Sequence, residues 1–533
     1  MAKRSEEKQF ALDWIDENQQ RLSDFDMEIW NYHEPAWREY KSAKAYCDLL
    51  EKEGFEVERG SGEMPTAFVA TFSNGDGPVL GAYAEYDAVP GNSQQAVPYK
   101  APREGVHPSA AGHTDPHSML GVAELAGVLA AKEAMKKHNL KGTLKFFGEP
   151  AEKLCGSKPI HAAKGYYDGF DAFIAYHPWP LNTCEWETHF GAYWSAVFTF
   201  ETPDPDNWLD MSLLPAEAGP RAAPRAPGAV DAVCLMYTNT KYTKEAMFTN
   251  NGGWTLNEFI LTAGDATADN RPPRFSQIQY AWRSSSLGLQ EQIYQVLKNN
   301  AKAAAQAAGC TVSVRWVAKT RVGLPNKALA DLTYRNLELV GPPVLSEEAR
   351  QFGREIQKNL GLEPMDNPFP DELEKLTTPQ DYEASVRRNI PAWQTHMGAD
   401  DYVEYQWHAP TVRLLTGRPR LKSPDPNYVY PAWATLALGG VPSVVDPGMF
   451  VAGKTIAATL VDLLTEPEEL ARMKEEFEER TGGGVGGDKW VGPLLEKDYA
   501  PPIELRWPEY VTTERGEEWT VPTVDSDHGY EQI

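Results

Sequence analysis

Cysteine is scarce in this sequence: Cys47, Cys155, Cys184, Cys234 and Cys310 are the five in 533 residues. Their odd number, wide spacing and lack of a CxxC pair exclude a disulfide framework and a structural zinc knuckle. Each is expected to be a buried small hydrophobe. Basic charge is also short, with 51 Lys and Arg against 76 Asp and Glu, a formal charge of -25. Phosphate binding needs a dense basic surface, so no nucleic acid is expected as a partner. No uninterrupted run of about 18 apolar residues is present, so no membrane span is expected. The N-terminal stretch MAKRSEEKQFALDWIDENQQ lacks an apolar signal core and reads as an amphipathic helix, which points to a soluble cytoplasmic protein.

What is present exceeds one core. A chain of 533 residues passes the roughly 250–300-residue ceiling of a single hydrophobic core, so two cores or an insertion are expected. Helical spacing over 5–23 and 39–54 gives way to strands at TAFVATF (66–72) and GPVLGAYAEY (77–86). A helix over 118–139, a strand at GTLKFFGEP (142–150) and another at FDAFIAYHP (170–178) continue the alternation. This is an α/β pattern with a central, mostly parallel sheet flanked by helices, in which functional residues gather at strand ends. From 191 to 320 the pattern changes to a small sheet with helices on one face. Helical sequence resumes at 321–483, with the last two helices over 454–483, and a proline-containing tail occupies 484–533.

The chemistry concentrates in three segments. GHTDPHSML (112–120) sets His113, Asp115 and His117 two apart before a long helix, a mixed imidazole and carboxylate set that suits zinc, manganese or iron. Alone it is a weak pattern, since an Asp capping a helix between two surface histidines reads the same way. GEPAEKLCGSK (148–158) adds Glu149 and Glu152 beyond a strand, and AYHPWP (175–180) ends a strand on His177. A carboxylate over a metal-bound water is a general base, and the metal lowers that water's pKa towards neutrality. Glu85 and Asp87 lie at another strand end. Trp179, Trp194, Trp282 and Trp407 stand near these segments and are expected to pack in cores.

The ordered set AEYDAVPG (84–91), GHTDPHSMLG (112–121), GEPAEK (148–153), AYHP (175–178) and GADDYVEYQWHAPT (398–411) resembles the M20 metallopeptidase and amidohydrolase family. The branch it resembles contains aminobenzoyl-glutamate hydrolase subunits and aminoacylases, and the likeness runs from about 10 to 480. The resemblance implies a catalytic domain in two parts, 1–190 and 321–483, with an inserted α+β lid and dimerisation domain at 191–320, a four-stranded sheet with two helices. It implies Asp115, His117 and His177 as metal ligands and Glu152 as general base. Two positions depart from the family pattern: Lys153 stands where a second glutamate ligand is usual, and Asp446, in VVDPGMF (444–450), where a final histidine is usual. These changes lead to the expectation of one Zn or Mn ion per chain, with the Lys153 ammonium in the second-metal region, neutralised by Asp115 and Asp446. The family's lid histidine is also missing from AGPRAAPRAPGAVDAV (218–233), so Arg221 or Arg225 could supply a cationic donor. Asn270, with Arg271 beside it, takes the position of the lid asparagine that contacts substrate.

The expected activity is metal-dependent hydrolysis of an amide C–N bond in a small N-acyl or aminobenzoyl-type substrate, by a homodimer joined through the lid. Two alternatives stay open: hydrolytic deamination of an activated aromatic or amidine compound, and a non-catalytic binding subunit that partners an active paralogue.

Overall fold

The structure, a computed structural model, describes residues 4–203, 227–248, 253–264, 273–425, 427–505, 507, 510–513 and 516–519. Twelve strands build its two main sheets. In chain order these are β1 (Glu56–Arg59), β2 (Phe68–Ser73), β3 (Val79–Ala84), β4 (Thr143–Gly148), β5 (Ala172–Trp179), β6 (Thr183–Cys184), β7 (Phe190–Glu201), β8 (Trp254–Thr262), β9 (Phe275–Ser284), β10 (Thr311–Lys319), β11 (Met397–Ala399) and β12 (Thr411–Gly417). The larger sheet has the order β1-β2-β4-β3-β5-β12-β6. Its four central strands, β4, β3, β5 and β12, run parallel. Antiparallel strands flank them, β2 and β1 on one side and β6 on the other. The mostly parallel sheet read from the alternating pattern is therefore present at the centre, where helices cover both faces and strands become apolar throughout.

Two long helices cover the sheet and pack on each other. His117–His138 is buried along nearly its whole length, so it shows no polar face. Its partner Pro442–Thr465 is long and apolar enough to cross a membrane by composition, yet most of it lies inside the protein core. Small residues bring the two together: a Cβ on Gly127 would sit 2.5 Å from Ile456, and one on Gly453 3.1 Å from Ala126. The second of these helices starts at 442 rather than 454, and Pro447 is accommodated within it. VVDPGMF is therefore helical and not a loop reaching the sheet edge.

The smaller sheet has the order β10-β7-β9-β8, with β11 added parallel to β7. Helices Ala229–Met247 and Leu287–Ala307 pack on one face, over Phe198, Tyr280, Trp282, Ile293 and Leu297. The four strands and two helices expected of the inserted segment are present, and β11 adds a fifth strand. Trp194 and Trp282 belong to its core, and Trp407 is buried with its indole N–H on the Val322 carbonyl. Described residues of the chain beyond 484 brace the two sheets. Leu495, Leu505 and Trp507 pack with Trp37, Met64 and Ala151 of the larger domain and Val317 of β10. Arg321, fully buried, donates to the Val491 carbonyl at 2.9 Å. Cys47, Cys155 and Cys184 are buried, whereas Cys234 is exposed and Cys310 half-buried, so the expectation of five buried thiols holds for three.

Gly121 joins the first turns of helix His117–His138 to the end of β3. A Cβ there would lie 2.4 Å from the Tyr46 hydroxyl and 3.0 Å from the Glu85 carbonyl. Gly121→Val is expected to lower stability by about 1–3 kcal/mol through overpacking, seen as a fall of several degrees in the melting temperature; an unchanged melt would contradict this packing.

Candidate active site

Because β4, β3 and β5 are adjacent and parallel, their C-terminal ends open on one edge of the sheet. That edge receives Glu85 and Asp87 after β3, Glu149 and Glu152 after β4, and His177 near the end of β5. Helix His117–His138 begins over the same edge, so His117 enters from its first residue. The turn that carries Glu152 is strained. Ala151 and Cys155, on either side of it, both adopt left-handed backbone, with φ of 56° and 50°. Such conformations cost non-glycine residues of order 1–3 kcal/mol and persist only where surroundings enforce them. Here Glu39 accepts from the Ala151 N–H at 2.7 Å and Asp87 from the Lys153 N–H at 2.9 Å.

His117 is the hub. Its Nδ1 lies 2.8 Å from Asp87 Oδ1, while Nε2 faces Glu85 Oε2 and Glu152 Oε2, each at 3.3 Å. The Lys153 ammonium sits 2.9 Å from the same Nε2, 2.8 Å from Asp115 Oδ2 and 3.2 Å from Glu152 Oε2. Burial and Lys153 pull the imidazole pKa down, but the bonds to Asp87 and Glu152 and the charge of Glu85 outweigh them and push it up to about 10. The 2.9 Å contact leaves room for one proton between Lys153 Nζ and His117 Nε2. Burial opposes the ammonium of Lys153, yet Asp115 and Glu152 hold its pKa above the usual lysine range. Burial likewise opposes ionisation of Glu152, but Lys153 and His117 keep it well below the ordinary carboxylate value. Glu152, Lys153 and Asp115 keep 12%, 20% and 25% of their side chains exposed, whereas His117 and Glu85 are sealed, so the first three form the open face.

A buried ionic layer supports this face. Lys158 bridges Glu85 Oε1 and Asp401 Oδ1, both at 2.7 Å. Arg413 pairs with Asp400 at 2.6 Å and lies over the rings of Tyr402 and Phe190, and Arg418 pairs with Asp115 at 2.6 Å. Lys153, Lys158, Arg413 and Arg418 thus pair with Asp115, Glu152, Glu85, Asp401 and Asp400, while Arg413 also lies 3.7 Å from Glu185 and Asp87 pairs with His117. Carboxylate oxygens and imidazole nitrogens are donors that suit a divalent ion. The donor atoms fit such an ion. Donors on Glu85, His117 and Glu152 lie within 4.8 Å of one another, and among the described residues Glu85 Oε2 has no hydrogen-bond partner. Burial and Glu152 push Glu85 up to about 7 despite Lys158, as expected for a carboxylate short of countercharge. Asp400 and Asp401 form a second such group with Glu152.

Several expected residues lie where the sequence placed them and others do not. Asp115 is beside the cluster with both oxygens in ion pairs, to Lys153 and Arg418. His177 stands edge-on to His117 with ring centroids 6.3 Å apart, its Nδ1–H donating to the Pro178 carbonyl. Burial and Arg413 keep that imidazole neutral, with a pKa down at about 3. Asp446 is the clear correction: it does not neutralise Lys153. Its carboxylate accepts from the Ser23 hydroxyl at 2.8 Å, because residues 442–465 are helical and turn position 446 towards helix Gln19–Tyr32. His113 is buried against His33, and burial with the nearby charge of His117 pushes its imidazole down to about 3. Glu149 is also withdrawn: it takes Tyr167, His161 and Tyr405 and serves as internal support. Trp179 lies 6.3 Å from the His177 ring at the mouth of the site. Arg221, Arg225, Asn270 and Arg271 lie outside the described residues. Sequence reasoning noted Glu85 and Asp87 as strand-end acids without giving them roles, and missed Lys158, Asp400, Arg413 and Arg418. The doubled acid in GADD was a usable signal; a lone lysine in SKP was not.

A mostly parallel α/β sheet with a carboxylate–imidazole cluster at its C-terminal edge and an inserted antiparallel domain is the architecture of a class of hydrolases that cut amide and peptide bonds. Residues 81–430 match the model of peptidase family M20/M25/M40, and the chain belongs to that family. It is 26% identical over 482 residues to a p-aminobenzoyl-glutamate hydrolase subunit of Escherichia coli (strain K12), covering 89% of this chain and 95% of that protein. It is 24% identical over 374 residues to the Xaa-Arg dipeptidase of Homo sapiens, covering 66% and 76%. Among solved structures, the aminobenzoyl-glutamate utilization protein from Klebsiella pneumoniae shares the fold at 14% identity and a TM-score of 0.53, over 84% of this chain and 97% of that one.

Asp446 lies near Asp26, which burial pushes up to about 8 against the pull of Ser118, with the Asp446 charge adding to the rise. A carboxyl raised in the folded state stabilises the fold fully below its unfolded pKa of about 4 and loses that contribution as pH climbs towards 8. Asp26→Asn, which mimics the protonated form, is expected to gain in melting temperature over the parent progressively from about pH 4 to about pH 8. A difference that stays constant across this range would refute the assignment.

Proposed function

We propose that this protein hydrolyses the amide C–N bond of a small N-acyl or aminobenzoyl-type substrate, with Glu152 as the proton-accepting base and one divalent ion, Zn or Mn, per chain. The observation that carries the reading is Glu152: an ionised carboxylate on a strained, clamped turn, part of the open face and 3.3 Å from the nitrogen that would hold the ion. His117 presents that nitrogen because Asp87 holds Nδ1, the arrangement that orients metal-binding histidines. When bound, a divalent ion acidifies water and polarises a carbonyl. Glu152 would take the proton of the attacking water and return it to the departing amine nitrogen. Lys153, fixed by Asp115, places a second positive charge beside the carboxylate and favours negative charge developing on the substrate oxygen.

The lid supports assembly as a homodimer. Leu235, Tyr237, Tyr242 and Met247 are exposed on one helix, and Phe259 and Ile260 on β8, which is the edge strand of its sheet. Exposed apolar side chains on an open strand edge favour pairing with another chain. Ile260→Asp is expected to shift the protein towards monomer in analytical ultracentrifugation; a parent already monomeric at micromolar concentration would remove this reading.

Glu152→Gln is expected to reduce kcat by about 10²–10⁴-fold on N-acyl amino acids, aminobenzoyl-glutamate and dipeptides, while metal content stays at the parent level. A variant that keeps more than about a tenth of the parent rate would overturn the role of Glu152 as base. A metal-loaded parent that turns over no member of that panel would overturn the amide reading.

A further inference from the structure

The cluster distinguishes between its carboxylates. Asp115, the acid that the family resemblance makes a ligand, spends Oδ1 on Arg418 at 2.6 Å and Oδ2 on Lys153 at 2.8 Å. It is already neutralised on both oxygens. Glu85 is different: it is 1% exposed, one oxygen is anchored by Lys158, and among the described residues the other has no hydrogen-bond partner. That oxygen faces His117 Nε2 at 3.3 Å. Leaving a buried carboxylate oxygen unsatisfied is costly, and such sites are satisfied by an ion where the neighbouring donors permit it.

We propose that Glu85, in place of Asp115, is the anionic ligand that joins His117 in holding the divalent ion, and that Lys153 stays with Asp115 as a permanent second cation. This rests on the metal-dependent reading above. The supporting shell is in place. Asp87 holds His117 Nδ1, so that Nε2 is the nitrogen left to face an ion, and Lys158 sets the orientation of Glu85. Lys158 cannot by itself balance Glu85, because it is shared with Asp401 at the same 2.7 Å. With the ion bound, Lys153 gives up Nε2 and keeps Asp115 and Glu152. Imidazole with carboxylate oxygen suits Zn²⁺ or Mn²⁺. The rival arrangement takes His177, whose neutral ring also leaves Nε2 free but does not join the group of donors around His117.

The test uses the full chain, stripped with chelator and reloaded with Zn²⁺ or Mn²⁺. Elemental analysis is expected to give one ion per chain, and X-ray absorption of the zinc form one imidazole with the rest oxygen. In calorimetric titration Glu85→Gln should weaken binding by at least about tenfold, with Asp115→Asn and His177→Ala staying within about threefold of the parent. Two imidazoles, or loss of binding in Asp115→Asn or His177→Ala with Glu85→Gln unaffected, overturns the assignment. Melting curves of the metal-free variants show whether each is folded, and if Glu85→Gln is not, the imidazole count on the parent decides. A parent that binds neither ion overturns this inference and the metal-dependent reading together. A parent with one ion on Glu85 and His117 but no amide turnover overturns the proposed reaction alone.

Discussion

The rest of the site depends on one buried cation. The Lys158 ammonium has no access to water and is held by Glu85 at the end of β3 and Asp401 in the loop after β11. Removing one partner of a buried pair typically costs about 3–5 kcal/mol, because it leaves an uncompensated charge. These three residues come from distant parts of the chain, so the pairing fastens the first half of the larger domain to the second. It reaches the lid as well, since β11 also pairs with β7. The orientation of Glu85, and so the environment of His117 Nε2, follows from this fastening.

A second constraint acts on the turn after β4. Its two left-handed residues, an alanine and a cysteine, lie beside the clamps made by Glu39 and Asp87, and Asp87 at the same time holds His117 Nδ1. One carboxylate therefore positions both the turn that carries Glu152 and the imidazole. Placing a lysine at 153 within this turn brings an ammonium to the point where Asp115, Glu152 and His117 converge. The positive charge at that point is covalently attached to the chain. The C-terminal segment adds rigidity from outside: Trp507 and Leu505 share one hydrophobic cluster with Ala151, next to Glu152, while Arg315 of β10 is held by Glu504 at 2.6 Å. The second sheet and the turn that carries Glu152 are thus tied to one strap.

Much of the fold was legible because its signals are local. Apolar periodicity marked helix His117–His138 and strands β3, β4, β5, β7, β9 and β10, and the change of pattern near 190 marked the start of the second sheet. The helix containing Asp446 was misjudged because Pro447 reads as a breaker, while burial against helix His117–His138 stabilises it regardless. The first helical stretch was read as one element over 5–23, whereas Asn18 divides it and a second helix continues to Tyr32. The strap was illegible, since its contacts are single side chains reaching far in sequence.

By itself the sequence determined the class of chemistry and its address: imidazole and carboxylates at the ends of parallel strands, with His117 and Glu152 among them, because strand ends and helix starts follow from short-range pattern. Only the tertiary structure decided which acids are free and which are spent. Asp115 and Glu85 look alike in a linear string, and what separates them is that Lys153 and Arg418 fold onto one while the single ammonium of Lys158 is shared at the other. Charge pairing in a buried site depends on distance and desolvation, and neither is a property of residue order.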